Sequence, residues 1–285
     1  MRPLILYLIK TFLPYIWIHS QEKYYPYDIQ NYIDNSELWC NKTFIGNYSN
    51  LTIDSITIYN NCPTQCYLQP SETIKYGYHK NISKAPVYAY YSDFDDYFEI
   101  KYLFFYSYNG AYNILHLFNY LDINYGDHYG DLEHMTLRFT NQTNQSGRNI
   151  IKLDKIYLAA HTESEGEWLS PNQVKWKGSR PIIYSALNGH GSYSKMGCYN
   201  RIYGFANDYC NQGTLWDPSE ILILNDNKEE WHRYRGDYSI GIQMDSNIKN
   251  LFSMTIGNKK TETNITTTSV KRFFYMYPRL LGLTS

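Results

Sequence analysis

Short segments rich in aromatic and β-branched residues recur between turn signals, and this pattern is the strongest constraint on the fold. The segments are APVYAYYSDF, YFEIKYLFFYSYN, HMTLRFT, KIYLAAH, RPIIYSALN, EILILN and YSIGIQM. They alternate in polarity or run apolar, as strands do, and glycine, asparagine and aspartate separate them. Helical periodicity is weak and is confined to GAYNILHLFNYL and NIKNLFSM. The pattern predicts a mainly β fold, an antiparallel β-sandwich of many short strands with few short helices.

Composition supports this fold class and argues against some kinds of partner. The chain has 285 residues, of which 32 are tyrosine and 18% are aromatic, and aromatic residues favour strands. Its formal net charge is −1, from 26 basic and 27 acidic residues. Nucleic-acid-binding domains are usually basic, and no block of like charge indicates a polybasic membrane anchor. We therefore expect no nucleic-acid partner.

The first twenty residues have the pattern of a secretory signal peptide. Arg2 precedes an apolar run that only Lys10 and Pro14 interrupt, and Ile18 to Ser20 could form the cleavage site. Lys10 and Pro14 make the segment a poor membrane span, although an uncleaved signal anchor stays open as an alternative. No later segment has about 20 uninterrupted apolar residues. We therefore predict a secreted protein, or one in an endomembrane or vacuolar lumen, with no stable membrane span after cleavage.

Three regions follow from these patterns. Residues 1–20 are predicted to be the signal peptide, 21–85 an irregular glycosylated region, and 86–285 the sandwich domain. Glycosylation is predicted because Asn-x-Ser/Thr acceptors fall in polar, turn-rich stretches. The acceptors are Asn41, Asn47, Asn50, Asn81, Asn141, Asn144 and Asn264.

Five cysteines fall into two locally spaced pairs and one remainder. They are Cys40, Cys62, Cys66, Cys198 and Cys210. In an oxidising compartment we predict a disulfide between Cys198 and Cys210, and another between Cys62 and either Cys66 or Cys40. A zinc site on Cys62 and Cys66 is disfavoured, because no second Cys or His pair follows at finger spacing. One cysteine is left free or bonds to another chain.

Polar residues that could carry chemistry concentrate in three blocks. These are GDHYGDLEH at 126–134, HTESEGEW at 161–168 and YSALNGHGSY at 184–193. In the third block, glycines free the backbone to present Asn188 and His190 together at the end of a strand. Each block is predicted to lie where a strand begins or ends.

The first block is predicted to place a carboxylate against the core. Side chains alternate along a strand, so Glu133 shares a face with Met135, Leu137 and Phe139. The residues His134, Thr136 and Arg138 point the other way. Burying an unpaired carboxylate is costly, so a cation, a cluster of hydrogen-bond donors or a metal should compensate it.

Three interpretations of the first block stay open. Its candidate ligands are Asp127, Asp131, Glu133 and His134. The carboxylates could simply accept backbone N–H bonds and cap the strand end. They could instead bind a divalent cation, calcium or magnesium through oxygens alone, or zinc or another transition metal with His134, His161 or His190. In the third interpretation, Glu133 is a general base and His190 an acid or electrophile.

In order and spacing, the three blocks resemble the family of vacuolar protein sorting-associated protein 62, also known in plants as a domain of unknown function. The upstream YLFFYSYNGAYN and the downstream WDPSEILILN are in keeping with it, so the resemblance covers about residues 86 to 225. Leu132 departs from it, because the family usually has tryptophan there. The resemblance implies a β-rich sandwich and a link to protein delivery to the vacuole in fungi, with no defined reaction.

We therefore expect a secreted or endomembrane-lumenal glycoprotein that acts as a binding or trafficking-associated module. Its ligand would be an unidentified protein or carbohydrate. The tyrosine-rich stretches EKYYPYDIQNY and YNRIYGFANDY are candidate binding faces, since tyrosine gives contact area at low entropy cost. The alternative is a metal-dependent hydrolase of extracellular polymers, centred on GDHYGDLEH, with a divalent cation as cofactor.

Overall fold

The computed structural model describes residues 3–40, 43–47, 66–113, 124–143, 146–147, 149–160, 162–201 and 207–224. Within these ranges the chain is mainly β, with two short α-helices and a few single-turn 3₁₀ helices, which confirms the predicted fold class. The predicted segments NIKNLFSM and YSIGIQM lie outside the described residues, as does most of GAYNILHLFNYL. Where that last segment is described, Tyr112–Asn113 forms a strand and not a helix.

The elements follow one another in chain order. The amino-terminal third contains α1 (Pro3–Thr11), β1 (Tyr15–Ile18), α2 (Ile29–Asp34), β2 (Ser36–Cys40), β3 (Thr43–Asn47), β4 (Cys66–Pro70) and β5 (Val87–Asp93). The middle contains β6 (Tyr97–Asn109), β7 (Tyr112–Asn113), β8 (Asn124–Tyr125), β9 (His128–Thr143), β10 (Asn149–Ala160) and β11 (Thr162–Leu169). The last part contains β12 (Lys175–Lys177), β13 (Arg180–Ser185), β14 (Ser192–Tyr193), β15 (Gly197–Tyr199), β16 (Asp208–Cys210), β17 (Thr214–Trp216) and β18 (Ile221–Ile223).

Two larger sheets make up the sandwich. One has the strand order β11-β10-β9-β6-β5-β18, and the other has the order β12-β13-β1-β17 with β14 attached to β13. Pairing is antiparallel except for β1 with β13 and β18 with β5, which are parallel. The strands β6 and β9 have 13 and 16 residues, so they are longer than the short strands that the pattern predicted.

The main core lies between these sheets. Ile16, Ile18 and Trp216 from one sheet and Leu137 and Phe139 from the other belong to a single buried cluster. Helix α1 adds three buried residues, Ile5, Leu8 and Ile9. In β9, Met135, Leu137 and Phe139 lie two residues apart, which places all three on the face toward this cluster.

Within the predicted signal peptide, the structure forms α1 and β1, and cleavage of this segment stays a prediction. Strand β1 lies between β13 and β17, and α1 packs against the main core. Just beyond β1, the backbone N–H of Ser20 donates to Asn211 Oδ1 at 2.8 Å. An apolar run that matches a signal peptide also matches a buried helix and strand, because both are selected for burial away from water. The sequence pattern alone did not separate the two.

The region 21–85 is more ordered than predicted. It holds α2 and a small sheet of order β3-β2-β4. Its Tyr32 and Leu38 form a second buried cluster with Leu103, Phe105 and Leu132 of the six-stranded sheet. The predicted boundary at residue 86 therefore separates two parts that share a core.

The predicted disulfide between Cys198 and Cys210 is absent. Both thiols are free, although β15 and β16 are paired neighbours. Cys198 lies opposite Tyr209, and Cys210 lies opposite Gly197, so the two cysteines are offset by one residue and point to opposite faces. Strand register also places Cys40 opposite Cys66, whereas Cys62 lies outside the described residues.

Of the predicted glycosylation acceptors, Asn47, Asn81 and Asn141 are described and exposed. The other four, Asn41, Asn50, Asn144 and Asn264, lie outside the described residues. Among the helices that the structure describes, none is long and apolar enough to cross a bilayer.

Replacing Ile16 by alanine should destabilise the protein strongly. Ile16 is fully buried in the central strand β1, so the cavity should lower the free energy of unfolding by about 2–5 kcal/mol in urea denaturation. The matched control is Tyr7→Ala on the outer side of α1, where the side chain is 65% exposed. That change should stay within about 0.5 kcal/mol of wild type. An Ile16→Ala protein as stable as wild type would contradict a core position for β1.

The two free thiols should differ in reactivity. Cys198 is exposed, whereas Cys210 is buried. Burial is the main cause that raises the pKa of the Cys210 thiol, and the Asp208 carboxylate adds to it. A maleimide added to the folded protein should label Cys198 and leave Cys210 unmodified until denaturant is added, as measured by peptide mass spectrometry. Recovery of a linked Cys198–Cys210 peptide under non-reducing conditions would contradict the observed register.

Candidate functional site

The block at 126–134 forms the entrance to β9. Gly126 and Gly130 have φ angles of 88° and 67°, a region that favours glycine. Beyond them, Asp131 and Glu133 are buried on the same face as Met135, while His134 lies on the opposite face. The prediction that Glu133 faces the core is therefore confirmed.

His190 lies at the centre of a buried network. Its side chain is fully buried, and its Nδ1 lies 2.9 Å from Asp131 Oδ2. Its Nε2 lies 3.1 Å from the Tyr24 carbonyl oxygen and 3.6 Å from Glu22 Oε2. The imidazole also stacks on Tyr106, with ring centroids 3.8 Å apart and ring planes 3° from parallel. Both ring nitrogens thus have partners within the protein.

These contacts favour a charged histidine. Burial alone would lower the pKa of His190, but Glu22 and Asp131 outweigh it and raise the pKa to about 9. Burial alone would raise the pKa of the Glu22 carboxyl group. The His190 cation and backbone N–H donors outweigh burial and hold this pKa below its ordinary value. At neutral pH the centre of the network is an imidazolium that contacts the Glu22 carboxylate and the Asp131 side chain.

A tight turn presents His190 to this network. After β13, Asn188 and His190 both have positive φ, 65° and 55°, and the His190 N–H donates to the Ala186 carbonyl at 3.1 Å. The Asn188 N–H donates to Glu22 Oε2 at 2.7 Å, so Glu22 binds both ends of the turn. A Cβ on Gly110 would lie 2.6 Å from Asn188 Oδ1, which explains glycine at that position.

A second set of charges adjoins the first. Asp208 is fully buried and accepts hydrogen bonds from Tyr112 (2.7 Å) and Tyr193 (2.6 Å). Arg201 Nη1 lies 3.6 Å from Asp208 Oδ1. Burial raises the pKa of Glu133 well above its ordinary value, repulsion from Asp131 and Asp208 adds to the shift, and Arg201 opposes it. Glu133 therefore holds its proton to higher pH than an exposed glutamate.

The structure does not gather the four predicted ligands of the first block. Asp127 accepts a hydrogen bond from Tyr108 at 2.5 Å, and His134 stacks on Tyr157 on the other face of the sheet. Burial and the Lys101 cation lower the pKa of His134 to about 3, so it is neutral. Among the described residues, no group of three or more His, Cys, Asp or Glu side chains is arranged to hold a metal ion. Cation binding and catalysis at these residues stay predictions.

The second and third blocks differ in how they contribute to this network. His161 lies outside the described residues, and Glu165 pairs with Arg201 at 3.2 Å at the periphery. The third block delivers His190 to Asp131 of the first, so these two blocks do meet.

Sequence reasoning missed three members of the site, Glu22, Tyr106 and Asp208. Tyr106 and Asp208 lie in stretches that were noted for resemblance and for tyrosine content, not for charge, and Glu22 lies in the region predicted to be irregular. The tyrosine-rich stretch after Glu22 is also less exposed than predicted, since Tyr27 and Tyr32 are buried.

Stability should fall as pH rises through the range in which His190 loses its proton. Its folded pKa is about 9 against an ordinary 6.5, so its contribution is complete below pH 6.5 and is lost as pH rises through about 9. Urea unfolding should show a loss of roughly 3 kcal/mol across this window.

His190→Gln is the control for this pH dependence. Its unfolding free energy should be lower at pH 6.5 and should change much less across the same window. The raised pKa of Glu133 contributes a slope of the same sign in both proteins, so the difference between them isolates His190. Identical slopes would contradict a charged His190.

Comparison with known proteins assigns the chain to a family. The family model described as "Vacuolar protein sorting-associated protein 62" matches residues 3–220. A yeast relative, "Putative vacuolar protein sorting-associated protein TDA6" of Saccharomyces cerevisiae (strain S288c), is 25% identical over 254 residues, covering 72% of this chain and 51% of the relative. The chain thus spans about half the length of that relative.

Comparison with solved structures gives matches of lower sequence identity. One, titled "Toxin fold for microbial attack and plant defense", is 13% identical with a TM-score of 0.41 over 87% of this chain and 89% of its own. Another, titled "Crystal structure of non-toxic HaNLP3 protein", is 11% identical with a TM-score of 0.40 over 80% of this chain and 78% of its own. The family match begins at α1 and contains β1, Glu22 and all three blocks. The chain belongs to the family of vacuolar protein sorting-associated protein 62.

Proposed function

We propose that this chain is a trafficking-associated binding module that works in the secretory or vacuolar lumen and acts through its surface. The match of the family model to residues 3–220 carries the proposal. A catalytic role for the buried network is disfavoured by the internal contacts of His190. Its ring is fully buried, and both ring nitrogens are engaged by Asp131, Glu22 and the Tyr24 carbonyl. A general acid must reach the proton acceptor of a substrate, and these contacts occupy the atoms that would do so. The network therefore supports a structural role.

The alternative, a metal-dependent hydrolase, has less support. Its predicted ligands divide between the two faces of β9, with Glu133 on the face of Met135 and His134 on the face of Tyr157. Asp127 is engaged by the Tyr108 hydroxyl. A divalent cation would need at least part of this set to converge on one point.

The outer face of the six-stranded sheet offers a surface suited to protein contact. Arg138 lies 4.2 Å from the ring centroid of Trp168 and 4.4 Å from that of Tyr97, and Phe94 stacks on Tyr97 at 4.5 Å. The guanidinium also donates to Glu99 from two nitrogens, at 2.9 and 2.7 Å, which fixes its position. Tryptophan, tyrosine and arginine are the residues that most often dominate binding energy in protein interfaces. We call Phe94, Tyr97, Arg138 and Trp168 the aromatic stack.

Rigidity is the second property that suits this surface to binding. Trp168 is 40% exposed, yet its ring contacts both Tyr157 and Arg138. A Cβ on Gly166 would lie 2.0 Å from the Tyr157 hydroxyl oxygen, so glycine there leaves room for that ring. A preformed aromatic surface loses little side-chain entropy when a partner binds.

A sorting assay tests the proposed role. In cells that lack this chain, we expect a soluble vacuolar hydrolase to appear in the medium, measured by its activity. Wild-type protein should restore retention, whereas Trp168→Ala should not, because it removes the exposed ring of the aromatic stack. Phe44→Ala is the matched control, since Phe44 is an exposed aromatic residue outside the stack and outside both tyrosine-rich stretches. Both variants should show wild-type thermal unfolding.

Two results would count against the proposal. One is full rescue of sorting by Trp168→Ala. The other is digestion of the chain by protease added to sealed endomembrane vesicles without detergent, which would place it on the cytosolic side.

A further inference from the structure

The hairpin of β9 and β10 extends beyond the rest of its sheet. The pairing of β6 with β9 ends at Tyr97, which lies opposite Thr140. The pairing of β11 with β10 begins at Ile156, so the residues of β10 before Ile156 have no partner in β11. Past these points, β9 and β10 pair with each other up to Asn149 opposite Thr143. We call residues 141–143 with 149–153 the β-arm.

The β-arm carries exposed aliphatic side chains on both faces. Ile150 is 43% exposed and Ile151 is 37% exposed, and consecutive residues of a strand point to opposite faces. An exposed hairpin with β-branched apolar residues is a site for unwanted strand pairing and aggregation. Some feature of the β-arm should therefore protect it.

Register brings a glycosylation acceptor next to one of these isoleucines. Ile151 lies directly opposite Asn141, which is exposed. Residues directly opposite in an antiparallel pair project from the same face, with Cβ atoms about 4.5–5.5 Å apart. Asn141-Gln142-Thr143 is an Asn-x-Thr acceptor.

We infer that Asn141 is a site of N-glycosylation and that its glycan covers Ile151. In the transfer step, the Asn141 amide nitrogen bonds to the anomeric carbon of a polyprenyl-pyrophosphate-linked oligosaccharide. The bond from that carbon to the pyrophosphate oxygen breaks, the lipid pyrophosphate leaves, and the amide proton passes to a base. The apolar face of the first sugar then packs on the Ile151 side chain, and the bulk of the glycan blocks approach to the β-arm.

The other described acceptors lack this arrangement. Asn47 lies opposite Glu37, a polar neighbour, and Asn81 caps a 3₁₀ turn, where its Oδ1 accepts a hydrogen bond from Ser83 at 2.7 Å. Of the acceptors that the structure describes, Asn141 alone has an exposed aliphatic side chain directly opposite. Asn81 is thus a suitable control, exposed but without an apolar neighbour to cover.

The inference rests on the proposed entry of the chain into the secretory lumen. One experiment tests the glycan on Asn141 separately from the lumenal location. The full chain is expressed in a eukaryotic secretory host, and glycopeptides are identified by mass spectrometry. We expect glycans at both Asn141 and Asn81. Asn141→Gln should increase the aggregation rate roughly threefold or more, by light scattering, because Ile151 becomes exposed. Thr143→Ala, which removes the acceptor and keeps Asn141, should behave in the same way.

Rescue by a second change identifies Ile151 as the covered residue. Adding Ile151→Thr to Asn141→Gln should return the aggregation rate to that of wild type, whereas Asn81→Gln should leave the rate unchanged throughout. A glycan on Asn81 with none on Asn141 would overturn this inference and leave the lumenal location standing. No glycan on any acceptor would overturn both. A glycan on Asn141 whose loss leaves aggregation unchanged would overturn the covering role.

Discussion

The contact of His190 with two buried carboxylates is the interaction on which the rest of the structure depends. Glu22, Asp131 and His190 come from three distant parts of the chain, and each is buried. Removing one partner from a buried ion pair leaves an uncompensated charge, which commonly costs about 3–5 kcal/mol. The network therefore links Glu22, which follows β1, to the start of β9 and to the turn after β13. These links set how the two sheets of the sandwich meet.

Burial on both sides of the six-stranded sheet explains the length and composition of its central strands. One face contacts β1, β17 and α1, and the other is covered at one end by α2 and the small sheet. Strand β6 is accordingly buried almost continuously from Ile100 to Asn109. The uncovered remainder of the second face carries the aromatic stack, and the β-arm extends past both layers. The surfaces proposed for contact and for glycosylation are thus the parts of this sheet that no other layer covers.

Local sequence patterns predicted what depends on neighbouring residues. The period of two placed Glu133 on the core face of β9, and the three ordered blocks identified the family. The same patterns failed where the outcome depends on distant residues. The apolar run before Ser20 matches a leader, and in the structure the same run contributes β1, which pairs with β13 and β17. The spacing of Cys198 and Cys210 matched a disulfide, but strand register places their side chains on opposite faces.

By itself, the sequence determined the β class, the family and the inward direction of Glu133, because propensity, motif order and alternation are properties of short segments. Only the tertiary structure decided which charges meet. Glu22 lies 168 residues before His190 in the chain, and nothing near either residue indicates the other. Long-range contacts of this kind arise when separate segments bury their apolar faces together, and the polar groups carried inward must then find partners among whatever lies opposite.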